Sequence, residues 1–142
     1  MPELSLEIGN DFAALGPTSA RVRDFLGECG APDAASFLAD LVIEELVTNT
    51  IKYGYDDAAA HEIDLHIGFD EGRLVIEVRD DGHAFNPLEQ AAPDTTLPAE
   101  QRDIGGLGIH LVRQMTDSVI YERCDGCNVV RAEKAFPPEA IG

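Results

Sequence analysis

The chain has 142 residues, 44% of them hydrophobic, which suits one domain with a sizeable core and leaves little room for a second. Its 27 acidic and 10 basic residues give a formal charge of −17, which argues against direct contact with nucleic acid or an anionic membrane surface, because like charges repel over long range. No apolar run approaches the length of a membrane span, and the opening MPELSLEIGN lacks the basic segment and apolar stretch of a signal peptide, so the cytoplasm is the expected compartment.

In chain order, Leu4, Leu6 and Ile8 alternate and predict a first strand. Pro17-Thr18-Ser19 predicts the start of a helix that carries Val22, Phe25 and Leu26 and ends near Gly27 and Gly30. A longer helix is expected from about Asp33 to Tyr53, stopped by Gly54. Ile63, Leu65, Ile67 and Phe69 alternate as a second strand, and Leu74, Ile76 and Val78 as a third, across a turn-like Asp70-Glu71-Gly72. Residues 81–104 hold Gly82, Pro87, Pro93 and Pro98 with little periodicity, and a loop of that length in a compact domain is often a lid. Gly105-Gly106-Leu107-Gly108 then opens a helix through Ile109, Leu111, Val112 and Met115. Val119 and Tyr121, then Val130, Ala132 and Phe136, predict a closing hairpin around Asp125-Gly126. No repeat or linker interrupts the chain. The expected architecture is an α+β two-layer sandwich, a mixed, mostly antiparallel sheet covered on one face by helices. It forms a single domain over residues 1–142, with a core of about 3–136 and a frayed tail from 137 to 142.

Three cysteines are too few for a disulfide framework. Cys124 and Cys127 have C-x-x-C spacing, which fits a redox pair or half a zinc site. It fits an Asp-Gly hairpin with a Cys on each flank better, since no second ligand pair has zinc spacing.

The long helix has an apolar stripe at Leu38, Leu41 and Val42, and helical offsets continue it to Glu45 and Asn49, both polar. If that stripe is buried, the Glu45 carboxyl is partly desolvated and becomes a better base. Asn49, one turn on, could offer an amide oxygen to a hard cation such as Mg²⁺. The same spacing also fits a solvent edge. Glu44, about 100° round the helix, reads as solvated, and Lys52 as an exposed lysine within reach of a phosphate. Asp80 leaves a strand, where its carboxylate could accept from an exocyclic amine such as that of adenine, and Gly82 would let the backbone approach a flat ring. An ordinary Asp-Gly turn has the same pattern, and His83 reads as a loop residue. Free N–H groups at the Gly105–Gly108 helix start can bind phosphate, though neither a Lys-Ser/Thr nor a leading strand accompanies them; a flexible hinge would look alike. Arg102, the sole Arg or Lys between Asp80 and His110, could neutralise a triphosphate if the loop closes.

Taken in order, Glu45-x3-Asn49, Asp80-x-Gly82, a long loop and Gly105-Gly106-Leu107-Gly108 closely resemble the GHKL ATPase superfamily. The words Glu-Leu-Val-Thr-Asn at 45–49, Tyr53-Gly54-Tyr55, Asp80-Asp81-Gly82 with Phe85-Asn86-Pro87, and Gly-Gly-Leu-Gly-Ile at 105–109 are similar to its bacterial anti-sigma factor and serine kinase branch, which works by partner switching. The resemblance covers about residues 3–136. It implies a Bergerat fold that binds ATP and Mg²⁺. Glu45 would be general base on a serine hydroxyl, Asn49 would hold Mg²⁺, and Asp80 would bind the adenine amine in a pocket lined by Gly82. Gly105, Gly106, Leu107 and Gly108 would shape the phosphate site. It further implies an ATP-dependent serine/threonine-protein kinase and anti-sigma factor, often a homodimer, that sequesters a sigma factor and phosphorylates a STAS-type anti-anti-sigma protein. Ala84 departs from the pattern where a second glycine is common, and no helical hairpin carries a phospho-accepting histidine. Competing readings are an ATP-binding module that sequesters a partner without phosphotransfer, an ATP-hydrolysing protein of the topoisomerase or chaperone kind, and an α/β domain without nucleotide.

Overall fold

The computed structural model describes residues 2–55, 60–89 and 104–137. Alternation of apolar and polar residues sets the sheet: β1 (Glu3–Gly9), β2 (Glu62–Asp70) and β3 (Arg73–Asp80) each turn every second side chain toward the helices. Ile63, Leu65, Ile67, Leu74, Ile76 and Val78 are buried there, across a register that sets Leu65 opposite Val78 and Ile67 opposite Ile76. β4 (Ser118–Cys124) and β5 (Cys127–Ala135) complete a five-stranded sheet of order β1-β2-β3-β5-β4. The two-layer α+β architecture expected from the sequence is what forms, and its four ladders are all antiparallel. β3 and β4, joined through a helix, run parallel but do not pair, because β5 lies between them.

Both tight hairpins turn on two residues of positive φ, Glu71-Gly72 (50° and 79°) and Asp125-Gly126 (52° and 78°), as strand twist requires. The second turn sets Cys124 opposite Cys127 as free thiols. The Asp125 carboxylate pushes the Cys124 thiol pKa up, away from the reactive thiolate.

Three helices cover one sheet face. α1 (Leu15–Glu28) follows a 3₁₀ turn at Phe12–Ala14 and starts earlier than Pro17 suggested. A proline is tolerated within a first turn, whose N–H groups have no helical partner. α2 (Asp33–Tyr53) has the expected ends, with Asp33 in its first turn and Lys52 in its last, each complementing the helix dipole. Its buried stripe runs through Leu38, Val42, Leu46 and Val47, which pack with Val22 and Leu26 of α1. α3 (Ile104–Met115) starts one residue before the glycines and inserts Ile109 and Val112 into the same core. No helix among the described residues is long and apolar enough to cross a membrane. Residues 90–103, most of the loop expected over 81–104, and residues 138–142 of the expected tail lie outside the described residues.

The two turn glycines differ in surroundings. A Cβ on Gly72 would lie 2.4 Å from the Phe136 carbonyl oxygen, whereas one on Gly126 would meet nothing within 4 Å. Gly126→Ala should therefore cost only the left-handed backbone, about 1–2 kcal/mol, and Gly72→Ala more. Urea unfolding of both variants checks the ranking, and equal losses would contradict it.

Candidate functional site

The sheet runs Asp80 into the interior at the C-terminal end of β3, where it is 7% exposed. An isolated carboxylate there would lose its hydration without return, and three donors compensate. The Gly82 amide donates to Asp80 Oδ1 at 2.9 Å and Asn128 Nδ2 to the same oxygen at 3.0 Å. The Thr50 hydroxyl reaches Oδ2 at 3.3 Å, a hydrogen it shares with the Leu46 carbonyl at 3.1 Å. Oδ2 is therefore the less satisfied oxygen.

Asp80 lines a cavity together with Leu46, Asn49, Thr50, Val78 and Phe85. Its free volume is about 20 Å³, room for roughly one water. Asn49 is 3% exposed, and its Nδ2 is a buried polar atom with no hydrogen-bond partner. Such a group costs about 1–3 kcal/mol unless something else satisfies it. Gly54 closes the cavity near the end of α2. Its amide bonds the Thr50 carbonyl at 2.8 Å, and its own oxygen accepts from the His83 amide at 2.9 Å. A Cβ on Gly82 would lie 2.2 Å from that Gly54 oxygen, and one on Gly54 2.7 Å from Thr50 O. Gly82 is thus required by close approach of two backbones and Gly54 by the last turn of its own helix, neither by φ. Arg123 holds the Gly82 carbonyl at 2.8 Å.

Glu45 lies on the α3 side of α2. A Cβ on Gly108 would fall 1.7 Å from Glu45 Oε2, so the carboxyl occupies the space that a side chain at 108 would take. Partial burial pushes its pKa above the usual carboxylate range; Glu44 adds to the rise and Lys52 opposes it. Glu44 and Lys52 are both exposed, as the spacing suggested.

The sequence-predicted residues therefore separate into two groups. Asn49, Asp80 and Gly82 meet around one cavity, and Glu45 meets Gly108 beside it. Gly105, Gly106 and Leu107 lie in the first turns of α3, inside the helix and not ahead of it. Arg102 lies outside the described residues. The sequence reading missed Thr50 and Asn128. Asn128 left a signal: it stands on β5 two residues before Val130, on the inward face, and opposite Asp80 in register. Tyr53 packs on Phe85, with ring centroids 5.6 Å apart. Tyr55 stacks on His61 at 4.0 Å and points its hydroxyl at Asp81 Oδ1, 3.4 Å away. Burial and then the Asp80 and Asp81 charges push the Tyr55 phenol pKa up.

The profile of the histidine kinase-like ATPase domain family matches residues 9–134, so the chain belongs to that family. It is 28% identical over 95 residues to the serine-protein kinase RsbW of Bacillus velezensis, covering 63% of this chain and 58% of that one. It is 22% identical over 104 residues to the serine/threonine-protein kinase BtrW of Bordetella bronchiseptica, covering 73% of each. It is 30% identical over 80 residues to the anti-sigma F factor of Halalkalibacterium halodurans, covering 55% of this chain and 53% of that one. The chain thus spans little more than half the length of two of these relatives. The RsbU and RsbW domains of Rv1364c from Mycobacterium tuberculosis share its fold, with TM-score 0.69 and 16% identity over 100% of this chain and 35% of that one. The resemblance to the GHKL superfamily and its serine kinase and anti-sigma branch therefore holds.

A carboxyl whose pKa is raised by folding binds its proton more tightly folded than unfolded. Glu45 thus opposes folding at neutral pH and ceases to once the pH falls below its unfolded value, about 4.3. Glu45→Gln should raise the melting temperature near neutral pH, with the gap closing toward about pH 4. A gap that widened on acidification would reverse the assignment.

Proposed function

We propose that this chain is a Mg-ATP-dependent serine/threonine-protein kinase that also sequesters a sigma factor and phosphorylates a STAS-type anti-anti-sigma protein. One observation carries the reading. Glu45 and Asn49 stand one turn apart on α2, the first against Gly108 of α3 and the second in the cavity of Asp80. A proton acceptor, an unsatisfied amide and a base-reading carboxylate thereby line one end of the sheet. The site residues fit a nucleotide through the buried, unpartnered Nδ2 donor of Asn49, whose amide oxygen is the atom that would face a metal, while the space beside Gly82 and Gly108 is taken by the Gly54 oxygen and the Glu45 carboxyl.

In this reading Asp80 Oδ2 accepts from the adenine amine, and Gly82 lets the ring lie flat against the backbone. The unpaired first-turn N–H groups at Gly105 and Gly106 would face the phosphates, with Leu107 and Gly108 shaping the site behind them and Arg102 as the nearby cation. Asn49 would hold Mg²⁺, which when bound neutralises phosphate charge. Glu45 takes the proton from the attacking hydroxyl, a task that its raised pKa suits. The chain works as one cytoplasmic domain and pairs as a homodimer. Its strong negative charge favours a protein partner over nucleic acid.

Two substitutions test this. Glu45→Ala should bind ATP within a few-fold of the parent and lose about 10²–10⁴ in transfer of labelled phosphate to a STAS-domain acceptor. Equal turnover would remove Glu45 as base, and ATP binding without transfer by the parent itself would leave a sequestering module. Asp80→Asn should weaken ATP binding at least about 10-fold by calorimetry, and unchanged affinity would take Asp80 out of the base pocket.

A further inference from the structure

Asn128 is 3% exposed and shares the inward face of β5 with the buried Val130 and Ala132. Its side chain can make four hydrogen bonds, and all four are made. Nδ2 donates to Asp80 Oδ1 at 3.0 Å and to the His83 carbonyl at 2.9 Å. Oδ1 accepts from the Phe85 amide at 3.3 Å and from the Tyr121 hydroxyl. One amide thus joins the end of β3, the segment that follows it, and β4.

From this we infer that Asn128 is a positioning residue for base selectivity. A saturated amide has nothing left to offer a ligand without breaking a bond it already makes. Its effect must pass through Asp80 and the 83–85 backbone. By occupying Asp80 Oδ1 together with the Gly82 amide, Asn128 fixes the carboxylate plane and leaves Oδ2, which takes only the long Thr50 bond, as the oxygen free to accept from a ligand. An acceptor fixed there favours a purine with an amino group at position 6 and disfavours one with a carbonyl. By holding His83 O and Phe85 N, the same amide sets where the Phe85 ring meets the cavity. Tyr121 keeps the amide from turning over, although it does not line the cavity itself. The inference rests on the nucleotide reading above and adds a residue that no motif in the chain announces.

The test compares ATP with inosine triphosphate, which replaces the 6-amino group by a carbonyl, using calorimetry on the full chain. The parent should prefer ATP by at least about 10-fold, because the carbonyl would face an acceptor and leave it unpaired. Asn128→Ser, too short to span Asp80 and Phe85 together, should shrink that preference to less than about 3-fold. Tyr121→Phe, which deletes only the outer hydrogen bond, should shrink it partially. Thermal melting establishes that each variant folds, and if Asn128→Ser does not, Tyr121→Phe decides alone. Variants that weaken both nucleotides by one common factor, with the ratio kept, would make Asn128 merely structural while leaving the nucleotide site in place. A parent that binds ATP and inosine triphosphate equally would overturn the inference. A parent that binds neither would overturn the nucleotide reading and the inference with it.

Discussion

Burying a carboxylate at a strand end is the constraint on which this end of the molecule depends. Asp80 sits where β3 meets the core, and its desolvation would cost several kcal/mol without donors. Each donor brings a requirement with it. The Gly82 amide can reach Asp80 Oδ1 only if the chain folds back at once, which presses Gly82 onto the Gly54 carbonyl and leaves no room for a Cβ at 82. Asn128 must stand opposite Asp80 in register, which fixes how β5 pairs with β3. Thr50 must lie one turn beyond Leu46, which fixes how α2 is rotated over the sheet. Helix rotation, strand register and one glycine all serve one carboxylate.

A second close approach follows from that rotation. With Thr50 and Asn49 turned inward, Glu45, one turn earlier, falls on the border of the buried stripe and faces α3. α3 can pack there only because Gly108 carries no side chain. The Glu45 carboxyl fills that gap in a partly desolvated position, which is what raises its pKa. The two acidic groups thereby acquire different characters from their surroundings. Asp80 is enclosed by donors, while Glu45 is enclosed by a helix surface and like charge from Glu44.

Much of this was legible in the sequence. Period-two alternation at residues 63–69 and 74–78 placed two central strands, and the stripe of α2 with its closing glycine placed both ends of that helix. Motif order identified the polar positions on α2 and the glycines that face them. The starts of α1 and α3 were displaced by one or two residues, because Pro and Gly in a first turn look like boundaries while the backbone there tolerates them. The sheet looked mixed because helix-linked strands usually run parallel; here β5 inserts between β3 and β4 and makes each ladder antiparallel. Asn128 escaped notice for a different reason. A single polar residue in a hairpin strand is ordinary, and its meaning appears only once register sets it opposite Asp80.

The small size of the cavity also has a physical consequence. About 20 Å³ admits a water and not a purine, so a purine could enter this cavity only if Phe85 and its neighbours withdrew. Pro87 is buried and Leu88 packs against the core, but the hydrogen bonds described on this segment beyond His83 are weak. Phe85 is held by a long 3.3 Å bond to Asn128 and a tilted ring contact with Tyr53, and Leu88 by an exposed hydrogen bond from Arg113. Exposed or long bonds of this kind are each worth about 1 kcal/mol or less, and segments so held open at low cost. The Asp80 side of the cavity is bound far more tightly, through short bonds buried in the sheet. One wall is therefore rigid, while the opposite wall yields. Asn128 belongs to both, so the residue that orients Asp80 also sets how far the yielding wall must move.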